Sequence, residues 1–208
     1  APELSRDGRW LFFSSDRPGG EGGYDIWVTV RDGDGWGTPV NAGTSINTAY
    51  NEIDPAWFQR PGERSNEKVF PTGLYFASNR PKPNAQGAKE PRWRGTLRGR
   101  ELPKPDDYDI FLAQADLESD KKEADDKKAA DETGSASSLA ALPPAPTSAL
   151  ALKEAKRLSH VNTSAREGQP TLTPRGDYLY FSSNRREAPG NRKGPADFDL
   201  YRARIYPP

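Results

Sequence analysis

The sequence predicts an all-β fold built from one repeated unit of short antiparallel strands. A seven-residue pattern ending in arginine occurs three times, and a four-residue pattern containing aspartate follows each copy. The chain also has 19 glycines and 20 prolines among 208 residues, which is typical of many turns and little helix. The longer copies are 11–17 (LFFSSDR), 74–80 (LYFASNR) and 179–185 (LYFSSNR), and the shorter copies are 24–27 (YDIW), 108–111 (YDIF) and 198–201 (FDLY).

A proline opens each unit, and the last two units share a longer leading segment before it. This leader places an asparagine and a glutamate at the same spacing from the proline in both units. Several patterns that recur in register indicate internal repeats rather than chance. The prolines are Pro2, Pro55 and Pro170, and the leader residues are Asn47 with Glu52 and Asn162 with Glu167.

The first unit reads as four short strands joined by tight glycine turns. Its second strand is mostly apolar and is therefore predicted to be buried on both faces. Its third strand places Ile26, Val28 and Val30 on one face. Four antiparallel strands of this length are typical of a β-propeller blade, so the sequence predicts a partial β-propeller of about three four-stranded blades. The predicted strands are 2–4, 10–15, 25–30 and 37–41, with turns at 5–8 and 32–35.

Two insertions explain why the second unit is longer than the others. Residues 81–106, rich in Pro, Arg, Lys and Gly, lie between its second and third strands. Residues 116–153 combine a charged run with Ala, Ser and Pro, a composition that buries too little apolar surface to order itself. We therefore predict disorder there. The blades are predicted at 1–50, 51–160 and 161–208, and the second contains both insertions.

Composition argues against several classes of function. The 30 basic residues balance the 30 acidic ones, and no apolar run approaches the length of a membrane helix. We therefore predict neither nucleic-acid binding nor membrane insertion. The absence of cysteine excludes disulfides, thiolate metal sites and a cysteine nucleophile. Because the chain begins at Ala1 and lacks methionine, we expect an excerpt or processed part of a longer protein, with no signal peptide in it.

The pattern P-x-x-S-x-D-G-x-x-L-x-F-x-S-x-R, followed by x-D-I-[WFY], resembles the repeat of the TolB-like β-propeller family. The third copy has Thr173 in place of the serine and displaces the aspartate, while the second carries extra residues between Gln59 and Thr72. The leader resembles versions found in exported bacterial proteins, some fused to peptidoglycan-binding OmpA-type domains. The first copy matches at Pro2, Ser5, Asp7, Gly8, Leu11, Phe13, Ser15 and Arg17.

This resemblance implies a ring of six or more blades, of which the chain supplies about three. It implies a non-catalytic binding or scaffolding module that is periplasmic or secreted, with a protein or a cell-envelope component as its partner. The alternative is the substrate-gating propeller of a serine peptidase whose catalytic domain lies outside this segment. For the chain itself we predict no enzymatic activity and no cofactor.

The recurring arginine and aspartate flank the same connection between the second and third strands of each unit. A cross-strand ion pair, or arginine bonds to loop carbonyls, would fix this hairpin. Because a binding site rarely repeats in every blade, a structural role is favoured over a ligand role. The three pairs are Arg17 with Asp25, Arg80 with Asp109, and Arg185 with Asp199.

Glu52 and Glu167 precede the innermost strands of their predicted blades. They either cap the connecting loop or line the mouth of a central channel as ligand contacts, and the capping role is favoured. Asn47 and Asn162 carry the same two alternatives.

Three other features are weaker candidates. The DGDG sequence at 32–35 lacks the ligand spacing of an EF-hand, so it is predicted to be a plain hairpin turn. His160 is the only histidine, and without a G-x-S-x-G elbow it predicts no catalytic triad. The basic stretch 89–100, which contains Trp93, either contacts an acidic partner or is a solvated loop, and the loop is favoured.

Overall fold

The computed structural model describes residues 1–59, 71–81, 95–97, 100–102, 108–115, 152–185 and 198–204, with only the backbone at 95–97 and 100–102. Within these ranges the regular structure is entirely β, in three antiparallel sheets of five, four and three strands and one separate two-stranded hairpin. The all-β prediction is therefore confirmed. Residues 60–70 of the second unit's first turn, most of the 116–153 insertion and the stretch 89–94 lie outside the described residues.

The first sheet contains five strands, because its outer edge is divided into two short pieces. The strands β1, β2 and β3 pair in chain order, and both β4 and β5 then pair with β3. The prediction of a single strand at 37–41 is thus wrong, because two shorter strands form this edge and the first of them begins at residue 35. The DGDG turn joins β3 to β4 as predicted. The strands are β1 (Pro2–Leu4), β2 (Trp10–Ser15), β3 (Asp25–Asp32), β4 (Gly35–Trp36) and β5 (Val40–Asn41).

The second and third sheets repeat this meander with fewer strands. In the second sheet the order is β6-β7-β10-β11, and in the third it is β12-β13-β14. An antiparallel hairpin, β8-β9, lies within the 81–106 insertion. The strands are β6 (Glu52–Phe58), β7 (Gly73–Ser78), β8 (Gly95–Leu97), β9 (Arg100–Leu102), β10 (Asp109–Gln114), β11 (Lys156–Arg157), β12 (Glu167–Leu172), β13 (Leu179–Ser183) and β14 (Asp199–Ala203).

The middle sheet is covered on both faces, because side chains alternate along its strands. One face packs against the first sheet, with Leu74 and Phe76 of β7 beside Phe12, Ile26 and Val28. The other face packs against the third sheet, where Tyr75, Ile110, Leu179 and Phe181 meet. Burial on both faces, predicted for β2, is found instead in β3 and β7, whereas β2 alternates buried and half-buried residues.

A β-bulge explains the repeated proline. Asp54 and Gln169 have positive φ angles of 51° and 50°, and the register breaks just around each of them. Pro55 and Pro170 follow directly, where a missing N–H costs no regular ladder bond. The strands therefore begin at Glu52 and Glu167, before the proline that was expected to open the unit.

Two equivalent turn glycines differ in what surrounds them, which gives a matched test of packing between the second and third sheets. Gly8 and Gly176 both have a φ of 70° and both donate to a turn carbonyl at 2.8 Å. A Cβ on Gly8 would meet nothing within 4 Å, but a Cβ on Gly176 would lie 2.2 Å from the ring of Phe58.

We expect Gly8→Ala to cost about 1 kcal/mol of unfolding free energy, from the left-handed backbone alone. Gly176→Ala should cost about 1–3 kcal/mol more, because Phe58 must move. Denaturant melts of both variants measure the difference. Equal losses in the two variants would contradict the described packing of the third-sheet turn on Phe58.

Candidate functional site

The leader asparagines attach each connecting segment to the sheet before it. The Asn47 side chain accepts a hydrogen bond from the Ile26 N–H at 2.8 Å and donates one to the Ile26 carbonyl at 2.9 Å. Asn162 makes the same two bonds to Ile110, both at 2.7 Å. Each buried asparagine side chain thus pairs with both the N–H and the carbonyl of one strand residue, as a neighbouring strand would.

The leader glutamate attaches the same segment to the sheet that follows it. Glu52 is completely buried, and its carboxylate accepts hydrogen bonds from Thr48, from Ser78 of β7 and from Arg80. The Thr48 N–H and hydroxyl lie 2.8 and 2.7 Å away, the Ser78 hydroxyl 2.7 Å away and the guanidinium 3.3 Å away. A buried carboxylate needs such partners, because its charge has left water.

The third sheet contains the same cluster. Glu167 is also fully buried, with the Thr163 hydroxyl at 2.6 Å, the Ser183 hydroxyl at 3.0 Å and the Arg185 guanidinium at 3.2 Å. The Thr163 N–H completes it at 3.2 Å. Two copies with the same donors indicate a structural unit of the repeat, which we call the glutamate cluster: Thr48, Glu52, Ser78 and Arg80, or Thr163, Glu167, Ser183 and Arg185.

The arginine of each cluster also binds the start of the leader. Arg80 donates to the Ile46 carbonyl, and Arg185 donates to the Val161 carbonyl at 2.8 Å. The Arg80 guanidinium lies over Phe111, 4.5 Å from the ring centroid, and that of Arg185 lies 4.6 Å from Tyr201. Aromatic faces attract a partly desolvated guanidinium, so the arginine is held on several sides.

Arg17 occupies the equivalent place in the first sheet. Its Nε donates to the Ser15 hydroxyl at 3.1 Å, and its guanidinium lies between the rings of Phe13 and Trp27, at 4.8 and 5.1 Å. The position equivalent to the cluster glutamate would precede Ala1.

The two alternatives for the repeated arginines have different outcomes. Bonds to loop carbonyls are found for Arg80 and Arg185, whereas no ion pair joins them to the aspartates among the described residues. Arg80 and Arg185 form ion pairs with Glu52 and Glu167 instead. The carboxylate of Asp109 is bound by Arg157 of β11, with nitrogen–oxygen distances of 2.7 and 3.0 Å. The recurrence of arginine and aspartate was correctly recognised, but each belongs to a different contact.

The aspartate of the four-residue pattern therefore connects the third and fourth strands of a sheet. Asp25 accepts a hydrogen bond from the Asn41 side chain of β5 at 3.3 Å. Asn41 pairs with β3 at the position equivalent to that at which Arg157 pairs with β10. Asp25 also accepts from the Glu21 N–H at 2.6 Å, which fixes the loop before β3. Asp199 lies opposite Ser183 in the third sheet, which has no fourth strand among the described residues.

Burial is the largest cause of the pKa shifts of Glu52 and Arg80 in the second sheet's glutamate cluster. It raises the pKa of Glu52, while Arg80 and the hydroxyl and amide donors oppose that rise. It lowers the pKa of Arg80, which Glu52 opposes. Removing either partner would leave the other charge buried without compensation, a strongly unfavourable state.

The remaining candidates have less organised surroundings. Glu52, Glu167, Asn47 and Asn162 are engaged by backbone and side-chain partners, so the described geometry supports the structural role, and ligand contact through them stays a prediction. His160 is exposed in the turn after β11, and partial burial lowers its pKa. Within the described ranges no group of three or more His, Cys, Asp or Glu residues is placed to hold a metal ion.

Sequence reasoning missed Thr48, Ser78, Thr163 and Ser183 as partners of the glutamates. The signal was present, because each serine stands two residues before its arginine and each threonine four residues before its glutamate. Arg157 carried no such signal, since Asn41 replaces it in the first sheet.

No helix in the described part of the chain is long and apolar enough to cross a membrane.

In comparisons with protein-family models and with curated proteins, nothing matches this chain.

The glutamate cluster makes a direct prediction for stability. We expect Arg185→Ala to cost about 3 kcal/mol of unfolding free energy, because it leaves Glu167 buried and charged. Glu167→Gln should cost a similar amount, and the double variant should cost clearly less than the sum of the two, since the partners act together. Urea melts of the single and double variants provide the cycle.

Arg175 in the third-sheet turn is the matched control for this cycle. It is exposed, so Arg175→Ala should change stability by no more than about 0.5 kcal/mol. If Arg185→Ala were as mild as Arg175→Ala, the cluster would not hold the sheet connection.

Proposed function

We propose that the three sheets are consecutive blades of a β-propeller, and that the chain is a non-catalytic binding or scaffolding module of the TolB-like kind. The strand order of each sheet supports this, as does the packing of β6 against both β1 and β12, which brings the first strands together. We place the module in the periplasm or outside the cell, with a protein or cell-envelope component as its partner. The polar residues that repeat most regularly bind one another, which leaves the loops and the strand ends to recognise that partner.

One observation carries the proposal of a larger ring. Ile26, Ile110 and Leu200 occupy the same position in the three copies of the four-residue pattern, and the first two are completely buried. Ile26 packs against the second sheet and Ile110 against the third, whereas Leu200 is 74% exposed. The third sheet therefore presents the same interface that its predecessors use for the next repeat, and further repeats would cover it.

An extended chain tests this proposal. A second copy of residues 153–204 placed after Arg204 supplies a leader and another sheet, since repeat arrays tolerate added units that dock on their neighbour. Leu200→Ser should change the stability of the present chain by less than about 0.5 kcal/mol. In the extended chain the same substitution should cost about 2 kcal/mol or more.

Ile110→Ser in the present chain is the positive control, because that position is already covered. If Leu200→Ser stays neutral in the extended chain and the two parts melt separately, the third sheet does not carry this interface. The proposal of consecutive blades would then lose its main support.

The non-catalytic part of the proposal has its own test. The chain should hydrolyse neither peptides nor glycosides. The His160→Ala variant should show the same background rate of hydrolysis as the wild type, because His160 lies in a turn that both leaders share. Reproducible hydrolysis that His160→Ala abolishes would overturn this assignment.

A further inference from the structure

A cavity of about 310 Å³ opens where the first strands of the three sheets end. Its walls come from β1, β6 and β12 and from the turns that follow them. A volume of this size is at the lower end of those that hold small ligands or single side chains. The lining includes Glu3, Leu4, Arg6, Trp57, Phe58 and Thr171.

Two of the residues that line this cavity, Glu3 and Trp57, differ from their equivalents in the other units. Directly after the repeated proline the three units have Glu3, Ala56 and Thr171. One residue further they have Leu4, Trp57 and Leu172. A carboxylate is thus present in the first unit only, and an indole in the second only. Residues that the repeat does not need are those most available for a function.

The Glu3 side chain is half-buried at this cavity. Among the described residues, no hydrogen bond or ion pair reaches its carboxylate, and burial raises its pKa. It lies opposite Phe12 in the β1–β2 ladder, so both side chains project from the face that meets the second sheet. Trp57 stacks on Phe12 on that face, with ring centroids 5.4 Å apart.

We infer that this cavity binds an aliphatic ammonium group, with Glu3 as its counter-ion and Trp57 as an aromatic wall. A carboxylate forms strong charge-assisted bonds with ammonium donors, and an indole face attracts the same cation. The apolar side chains of Leu4 and Phe58 suit the alkyl part of the ligand. A lysine side chain of a protein partner and a free amine share this chemistry.

The three described sheets form this cavity by themselves, so binding there does not depend on the proposed scaffold function or on further repeats. Arg6 lines the same cavity, and no hydrogen bond or ion pair joins it to another residue of the described ranges, so its positive charge opposes a bound cation.

Calorimetric titration of the whole chain tests the site. The probes are N-acetyl-lysine methylamide, n-butylamine and, as the uncharged control, N-acetyl-norleucine methylamide. We expect the lysine probe to bind with a dissociation constant of about 1 mM or lower, and the norleucine probe at least tenfold more weakly, since only the former is charged. Butylamine binding as tightly as the lysine probe identifies a free amine as sufficient, and a preference for the lysine probe identifies a peptide ligand.

Three variants locate the binding. Glu3→Gln keeps the size of the side chain and should weaken the lysine probe about tenfold, because the charge-assisted bond is lost. Arg6→Gln should strengthen it, and Glu154→Gln, an exposed carboxylate outside the cavity, should leave it unchanged. Trp57→Phe retains a ring on Phe12 but should weaken the probe by several-fold, because phenyl attracts cations less than indole.

Each variant is melted first, to confirm that it folds like the wild type. No saturable binding of either charged probe up to about 20 mM would overturn the inference. So would a folded Glu3→Gln variant that binds the lysine probe as tightly as the wild type, or equal binding of the norleucine probe.

Discussion

The buried glutamate at the start of a sheet is the constraint on which the architecture depends. Its carboxylate accepts hydrogen bonds from the leader threonine, from the serine that ends the second strand and from the arginine two residues later. A charge so completely removed from water is tolerated only with its full set of partners. The glutamate thus fixes where the leader turns into the first strand, and with it the register of the sheet.

Because the leader is held at both of its ends, neighbouring sheets cannot move independently. Its asparagine is bonded to the third strand of the preceding sheet, while its glutamate and arginine join it to the following one. The apolar faces then pack in the gap, as Ile26 does against Phe76 and Ile110 against Phe181. Polar bonds set the geometry of the interface, and burial of apolar area supplies most of its stabilisation.

The repeat explains what sequence reasoning could and could not predict. The seven-residue copies located β2, β7 and β13, since a short apolar run that ends at turn residues is a local signal. The arginine bonds to loop carbonyls were one of the two predicted alternatives, but the carboxylate beside the arginine was not predicted, because Asp109 and Glu52 are equally acidic and only the folded chain shows which one lies beside Arg80. The bulges at Asp54 and Gln169 left no signal except the proline that follows each of them.

The same logic separates structural residues from candidate functional ones. Positions shared by the units, such as Glu52 and Glu167, are occupied by contacts within the fold. Glu3 and Trp57 lie at positions where the units differ, and that divergence, together with the cavity, was visible only after the strands had been placed. Sequence spacing alone gave no reason to bring these two residues together.

Amide hydrogen exchange of Ile26, Ile110 and Leu200 tests most directly whether the leader locks one sheet to the next. The amides of Ile26 and Ile110 should exchange as slowly as those of the regular ladder, because asparagine side chains bind them, while the amide of Leu200 should exchange rapidly. Asn47→Ala should speed exchange at Ile26 far more than at Ile110. Rapid exchange at all three amides in the wild type would contradict the account.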